Sequence, residues 1–183
     1  MRAKLELNKI FLYALAAIFS GLAGYYFFAK IAIAPEAAQT GKALYKVVEV
    51  IDGDTIKADI AGKVESVRLI GIDTPEIGGS YAKEECFGKE ASLKAKELLE
   101  GKKVFLVSDA SVSDRDKYGR LLRYVFLPDG EFINAELING GYAFNYPYEN
   151  FQYLHYFNDL ERQAKEDNLG LWKKCAADYG QSD

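Results

Sequence analysis

Residues 43–72 read ALYKVVEVIDGDTIKADIAGKVESVRLIGI, and the strand pattern of the globular part of the chain begins here. Runs rich in β-branched and aromatic residues alternate here with D-G-D and A-G-K, which are turn signals. The runs span residues 43–51, 55–60 and 63–72. This pattern predicts three consecutive strands joined by tight turns.

The rest of the globular part adds two strands and three helices. Residues 88–99 change to helical spacing, and Gly101 stands where a helix C-terminus is often capped. Strands are predicted at 104–107 and 121–127, and helices at about 134–139 and 150–167. We therefore predict an α+β domain over residues 43–176, with a five-stranded antiparallel, OB-fold-like Greek-key β-barrel and three helices. Residues 177–183 are predicted to be a flexible tail.

The amino-terminal segment predicts a membrane anchor. Residues 10–29, IFLYALAAIFSGLAGYYFFA, carry no charge and have the length that a helix needs to cross a bilayer. We assign 1–33 to a transmembrane anchor, which makes the membrane a partner, and 34–42 to a linker. A cleaved signal peptide, and thus a secreted protein, is the alternative, because Ala32-Ile33-Ala34 mimics a cleavage site. The length of the apolar run and Pro35 directly after that triplet favour the anchor.

Charge and residue counts exclude several kinds of site. The formal net charge is −4, so tight non-specific binding to polyanions is not expected. With one histidine and two cysteines, a Cys/His zinc site is excluded and a serine triad is nearly ruled out. Cys86 and Cys175 are interpreted either as a disulfide or as two buried thiols. A disulfide requires an oxidising compartment and would place the domain outside the cytoplasm.

Two acidic loops could bind a metal ion. Asp52 and Asp54 flank a glycine in D-G-D-T, and Asp73 and Glu76 flank the proline of D-T-P-E. Carboxylates and backbone carbonyls are the ligands that hard cations such as Ca²⁺ and Mg²⁺ prefer. Each loop alone is also typical of an ordinary turn with solvated acids, so the spacing of all the groups has to be considered together.

Two arginines accompany the acids. Arg68 lies in an apolar strand, where a guanidinium is costly to bury unless it is paired. Its spacing from Asp73 places the two side chains on opposite faces of a regular strand, so a shared site requires a bend, which we expect at Gly71. Arg120 follows a turn in D-K-Y-G-R, and its guanidinium is suited to phosphate oxygens. Acids, arginines and a cation together indicate phosphoryl chemistry.

The segments IDGDT, VRLIGIDTPE and DKYGR resemble the signature segments of the staphylococcal nuclease (thermonuclease) family. The resemblance covers roughly residues 44–175 and includes intervals of 14, 5, 3 and 44 residues between the key side chains. It implies one Ca²⁺ ion, with Glu76 acting on the attacking water and Arg68 and Arg120 clamping the phosphate. The implied metal ligands are Asp54, Asp73 and the backbone carbonyl of Thr74.

The same resemblance implies hydrolysis of DNA or RNA to products with 3′-phosphates. We expect the protein to be a monomer. Its substrate-binding residues would be Lys117, Tyr118, Tyr146 and Tyr148. The main alternative is a non-catalytic module of the same fold that binds nucleic acid or protein at the membrane; a purely structural membrane-tethered domain is a third hypothesis. Retention of the acids and both arginines favours the enzyme.

Overall fold

The computed structural model describes residues 43–79, 83–147 and 150–179. The predicted anchor (1–33), the linker (34–42), Tyr148 and residues 180–183 of the predicted tail lie outside these ranges. Within the described ranges, none of the helices is long and apolar enough to cross a bilayer. The span predicted at residues 10–29 stays a prediction.

Five strands form a closed barrel, as predicted, in the order β1-β2-β3-β6-β5 with β5 pairing back to β1. They are β1 (Tyr45–Val50), β2 (Thr55–Ile60), β3 (Lys63–Leu69), β5 (Lys103–Val107) and β6 (Leu121–Phe126). The prediction of a fully antiparallel set is wrong for one pair, because β3 and β6 run parallel. An odd number of strands in a closed ring cannot alternate in direction throughout, so one parallel neighbour is unavoidable.

The third predicted strand is interrupted near its end. The run at 63–72 forms β3 and then, after Gly71, the two-residue strand β4 (Ile72–Asp73), which pairs with β7 (Phe144–Asn145). Gly71 has φ +74°, and a Cβ there would lie 2.6 Å from the Phe151 ring. The bend expected at Gly71 is therefore confirmed, and glycine is needed both for the backbone conformation and for the close approach.

Helices cover the barrel. They are α1 (Gly88–Leu99), α2 (Ile133–Asn139), α3 (Leu154–Glu166), α4 (Leu171–Lys174) and α5 (Ala176–Tyr179). The first three match the predicted helices, whereas α4 and α5 were not predicted and α5 extends into the region assigned to a tail. The barrel core includes Val47, Ile56 and Val67, and Leu99, Leu137 and Phe157 are fully buried helix residues in the same cluster.

A disulfide joins the two cysteines. Cys86 precedes α1 and Cys175 follows α4, with Cα atoms 5.9 Å apart and a separation of 89 positions in the sequence. Their bond ties the beginning of α1 to the carboxy-terminal helices.

Candidate active site

Arg68 lies at the centre of a cluster with two carboxylates. Its Nη2 is 2.7 Å from Asp73 Oδ1 and 3.1 Å from Asp54 Oδ2. Its Nη1 donates to the carbonyl oxygens of Leu69 (3.2 Å) and Ile72 (2.7 Å), which follow it around the Gly71 bend. The bend thus brings Arg68 and Asp73 together despite their odd spacing, and the guanidinium that would be costly to bury is paired.

Asp54 is held in place by the turn that precedes β2. Its Oδ2 accepts hydrogen bonds from the Thr74 amide (3.0 Å) and Thr74 Oγ1 (3.2 Å), and its Oδ1 accepts one from Thr55 Oγ1 (3.0 Å). The turn itself is closed by Asp52, whose Oδ1 accepts from the amides of Asp54 and Thr55. A Cβ at Gly53 would lie 2.6 Å from Thr74 Oγ1, so the glycine lets the two loops pack together.

The carboxylates concentrate negative charge in a partly buried place. Burial raises the pKa of Asp73 to about 6; Arg68 opposes this effect, and repulsion from Asp54 and Glu76 adds to it. Burial also raises the pKa of Asp52 to about 6, with repulsion from Asp54 as a further cause. Closely spaced carboxylates whose charges are mutually unfavourable fit a divalent cation, because the cation would neutralise them.

Arg120 is connected to the same cluster through Thr55. Its Nη1 lies 3.2 Å from Thr55 Oγ1, and that hydroxyl donates to Asp54. Asp116 positions the arginine, since its Oδ2 accepts from Arg120 Nε (2.7 Å) while its Oδ1 accepts from the amides of Tyr118 and Arg120. Both arginines therefore converge on one side of the barrel.

A cleft of about 550 Å³ lies beside this cluster. Its charged and polar lining includes Arg68, Asp73, Lys117, Tyr118, Arg120 and Tyr146. Tyr118 is 72% exposed, and Lys117 Nζ and Arg120 Cζ lie 5.0 and 5.4 Å from the centre of its ring. The Tyr146 amide donates to the carbonyl of Gly71 (2.9 Å), and this bond joins the part of the cleft lining at Tyr146 to the bend. Tyr148 lies outside the described residues.

Glu76 lies on the segment that follows β4, and its side chain is exposed. Its amide donates to Glu85 Oε2 (3.1 Å), and its carbonyl accepts from the Glu85 amide (2.9 Å). Glu76 is not part of the cleft lining, but its charge acts on Asp73. The structure thus places Glu76 beside the cluster rather than within it.

The model for the family "Staphylococcal nuclease homologue" matches residues 66–174, more than half of the chain. This chain belongs to the staphylococcal nuclease family. Relatives of this nuclease homologue include the thermonuclease of Staphylococcus hyicus, which is 39% identical, with 70% of this chain and 75% of that protein covered. The uncharacterized protein MJ1439 of Methanocaldococcus jannaschii is 37% identical, with 69% and 70% covered.

Endonuclease YncB of Bacillus subtilis is 41% identical, with 68% of this chain covered. The match spans only 59% of YncB, less than two thirds of its length. In this staphylococcal nuclease homologue, sequence reasoning missed three residues that bond directly to the proposed site. Asp116 and Thr55 lie within the segments DKYGR and IDGDT and could have been found there, but no pattern in the sequence marks Glu85.

Proposed function

We propose that the chain is a metal-dependent nuclease that hydrolyses phosphodiester bonds of DNA or RNA. The observation that carries the proposal is the cluster of Asp54, Arg68 and Asp73, to which Arg120 is linked, at the edge of a cleft of about 550 Å³. The relatives named thermonuclease and endonuclease support the same activity.

One Ca²⁺ ion is the proposed cofactor. Asp54, Asp73 and the backbone carbonyl of Thr74 would hold it, since two carboxylates and a carbonyl are the oxygen donors that a hard cation takes. When bound, the cation would supply positive charge that offsets the charge developing on the phosphate. The hydrogen bonds from Thr74 and Thr55 keep Asp54 oriented for this role.

The protein groups would divide the remaining chemistry. Arg68 and Arg120 would donate to the non-bridging phosphate oxygens, where two guanidinium forks stabilise the negative charge of the transition state. Glu76 would take a proton from the attacking water. The water oxygen would bond to phosphorus while the bond from phosphorus to the 5′-oxygen breaks, and the leaving 5′-oxygen would take a proton from solvent water, giving a 3′-phosphate and a 5′-hydroxyl. Lys117, Tyr118 and Tyr146 would bind the flanking nucleotides through charge and ring stacking.

The test is cleavage of single-stranded and duplex DNA and RNA by the full-length chain in Ca²⁺, in Mg²⁺ or in chelator. We expect cleavage in Ca²⁺ and none in chelator, and a loss of about 10²- to 10⁴-fold in kcat for Glu76→Gln. Glu131→Gln, which changes a half-buried acid beside the turn at Asp129 and outside the cleft lining, is the matched control and should keep full activity. Binding of nucleic acid without cleavage in any metal would support the non-catalytic module instead.

We also propose a setting for the enzyme: monomeric, anchored by residues 10–29, and facing an oxidising compartment. The charge-free run at 10–29 and the Cys86–Cys175 disulfide support this proposal. Protease added to intact cells should digest the domain. In a separate fractionation of untreated cells, the protein should sediment with membranes and resist carbonate extraction. Release of a shortened chain into the medium would support cleavage and secretion, whereas protection from protease would contradict the external location.

A further inference from the structure

Glu85 holds the backbone of Glu76 on both sides of the residue. The Glu85 carboxylate accepts from the Glu76 amide at 3.1 Å, and the Glu85 amide donates to the Glu76 carbonyl at 2.9 Å. A Cβ at Gly88 would collide with that same carbonyl oxygen, so the start of α1 packs directly against the Glu76 peptide. The position of Glu76 is therefore tied to residues nine to twelve positions further along the chain.

The residue after Glu85 is Cys86, whose disulfide partner Cys175 is 1% exposed. The Tyr179 hydroxyl donates to the Cys86 carbonyl (3.4 Å), and the Tyr179 ring lies 4.9 Å from the Phe144 ring, edge to face. Phe144 belongs to β7 and pairs with Asp73 in β4. A continuous set of contacts thus runs from the segment of Glu76, through Cys86 and Tyr179, back to the strand that carries Asp73. The Tyr179 amide also donates to the carbonyl of Cys175 (3.0 Å), the other half of the disulfide.

The groups of the barrel have further contacts that involve neither Glu85 nor the disulfide. Arg68 bonds to Asp54, to Asp73 and to two carbonyls of its own bend, and Asp54 bonds to Thr74 and Thr55. Glu76, in contrast, has an exposed side chain on a connecting segment, and the contacts that fix its backbone come from Glu85 and Gly88.

We propose that Glu85 and the Cys86–Cys175 disulfide are positioning residues that keep Glu76 directed at the attacking water. The inference rests on the proposed function, because it assigns that role to Glu76. Misplacing a catalytic group by about 1 Å can lower a rate by roughly 10²-fold. Loss of this positioning should therefore lower kcat. KM should stay unchanged, because Arg68, Arg120 and the tyrosines of the cleft keep their places.

The first test compares substitutions of Glu85 in the full-length chain. Glu85→Ala removes the acceptor for the Glu76 amide and should lower kcat about 10-fold or more, with KM within about twofold. Glu85→Gln keeps an acceptor oxygen without the charge and should restore most of the rate. Glu84→Ala is the matched control, since the neighbouring carboxylate pairs with Lys89. Equal losses for the Ala and Gln variants of Glu85, or full activity of Glu85→Ala, would overturn the proposal.

The second test reduces the disulfide with dithiothreitol, beside a Cys86→Ser/Cys175→Ser double variant. Both should lower kcat about 10-fold at constant KM, and reoxidation should restore the untreated protein but not the variant. In a Glu76→Gln background, reduction should change the residual rate less than about twofold, because the group being positioned is already absent. A loss of the same size in that background would overturn the proposal.

Amide hydrogen exchange gives a readout that does not require activity. On reduction, exchange should accelerate at Glu76 and over residues 85–88, while the amides of β2 and β3 keep their protection. A uniform acceleration across the domain, or no change at Glu76, would overturn the proposal. If the oxidised protein cleaves no nucleic acid in any metal, the proposed function is wrong. The exchange measurement would still decide whether Glu85 and the disulfide hold the backbone of Glu76.

Discussion

The two sides of the proposed site are built differently. On the barrel side, Asp54, Arg68 and Asp73 belong to strands or their turns, and the cluster is partly buried among several hydrogen-bond partners. On the other side, Glu76 and Arg120 belong to connecting segments and depend on single neighbouring acids, Glu85 and Asp116. The barrel holds the carboxylates that would bind the cation, whereas the segments determine where the reacting groups point. Substitutions on the barrel side should therefore lower Ca²⁺ affinity, and substitutions on the segment side should lower kcat.

The largest effect is expected on the barrel side, from Asp54→Asn. The variant loses a proposed ligand oxygen and places an amide where three donors converge, so Ca²⁺ affinity should fall by more than the roughly 10- to 100-fold typical of losing a supporting partner. Calorimetric titration of Ca²⁺ measures this change. Asp59→Asn, at the far end of the same strand β2, should bind Ca²⁺ normally. Unchanged affinity of Asp54→Asn would show that the ion binds elsewhere.

Arg120→Lys probes the segment side. A lysine ammonium cannot bond to Asp116 and at the same time donate two hydrogen bonds to phosphate, as the guanidinium can. The kcat should therefore fall about 10²- to 10³-fold, while Ca²⁺ affinity stays close to that of the unmodified protein. Arg162→Lys is the control, because Arg162 pairs with Asp159 and Glu166 on the surface of α3 and is not part of the cleft lining. Steady-state kinetics with a labelled oligonucleotide separates the two variants. A matching loss in both would mean that the effect does not depend on the position of Arg120 in the site.

Asp109→Asn tests how the cleft wall is attached to the barrel. Asp109 is 7% exposed and accepts from the Tyr124 hydroxyl (2.6 Å), the Gln152 amide (2.7 Å) and Ser111. The variant leaves donors without a full acceptor and should lower the free energy of unfolding by about 2 to 3 kcal/mol at pH 7.

The same substitution has a signed pH dependence. Burial acts to raise the pKa of Asp109, but hydrogen bonds from Gln152, Ser111 and Tyr124 outweigh it and lower the pKa. The stabilisation by the charged Asp109 carboxylate is present above about pH 4. It is lost as the pH falls through the lower pKa that Asp109 has in the folded protein. Urea unfolding should therefore show a difference in the free energy of unfolding between the unmodified protein and Asp109→Asn that becomes smaller below pH 4. A gap that is constant with pH would contradict the charged state of Asp109. Asp129→Asn, in an exposed turn, serves as the control.

The smallest effect is expected from Tyr118→Ala. The ring is exposed and lies beside Lys117 and Arg120, so its loss should leave the melting temperature unchanged and raise KM about 5-fold, the lower end for a stacked base. Leu93→Ala, an exposed apolar residue on α1, should change neither quantity. A changed kcat at constant KM would assign Tyr118 to the reaction itself.

Local features of the fold were predictable because they are recorded in neighbouring residues. The turn signals D-G-D and A-G-K bound β2 as predicted, α1 has the predicted limits, and Gly71 marks the bend that joins Arg68 to Asp73. The predicted closed ring of five strands also required at least one parallel pair, which the fully antiparallel prediction overlooked, but the strand count does not identify that pair as β3–β6.

Features that join distant short segments were not predictable. The two-residue pair of β4 and β7 is too short to leave a periodic pattern. The bonds between Glu85 and Glu76, and the Thr55 hydroxyl between Arg120 and Asp54, depend on side-chain positions that only the closed barrel defines. The sequence therefore indicates which groups are candidates for the chemistry, and the structure shows which neighbours hold them.

The most direct measurement is the chemical nature of the ends that the full-length chain produces from a defined DNA oligonucleotide in Ca²⁺. We predict fragments with 5′-hydroxyls, which polynucleotide kinase labels without prior phosphatase treatment, and 3′-phosphates, with both lost in Glu76→Gln. Fragments with 5′-phosphates, or the same yield of ends from Glu76→Gln, would contradict the assignment of Glu76 and the arginines to this reaction.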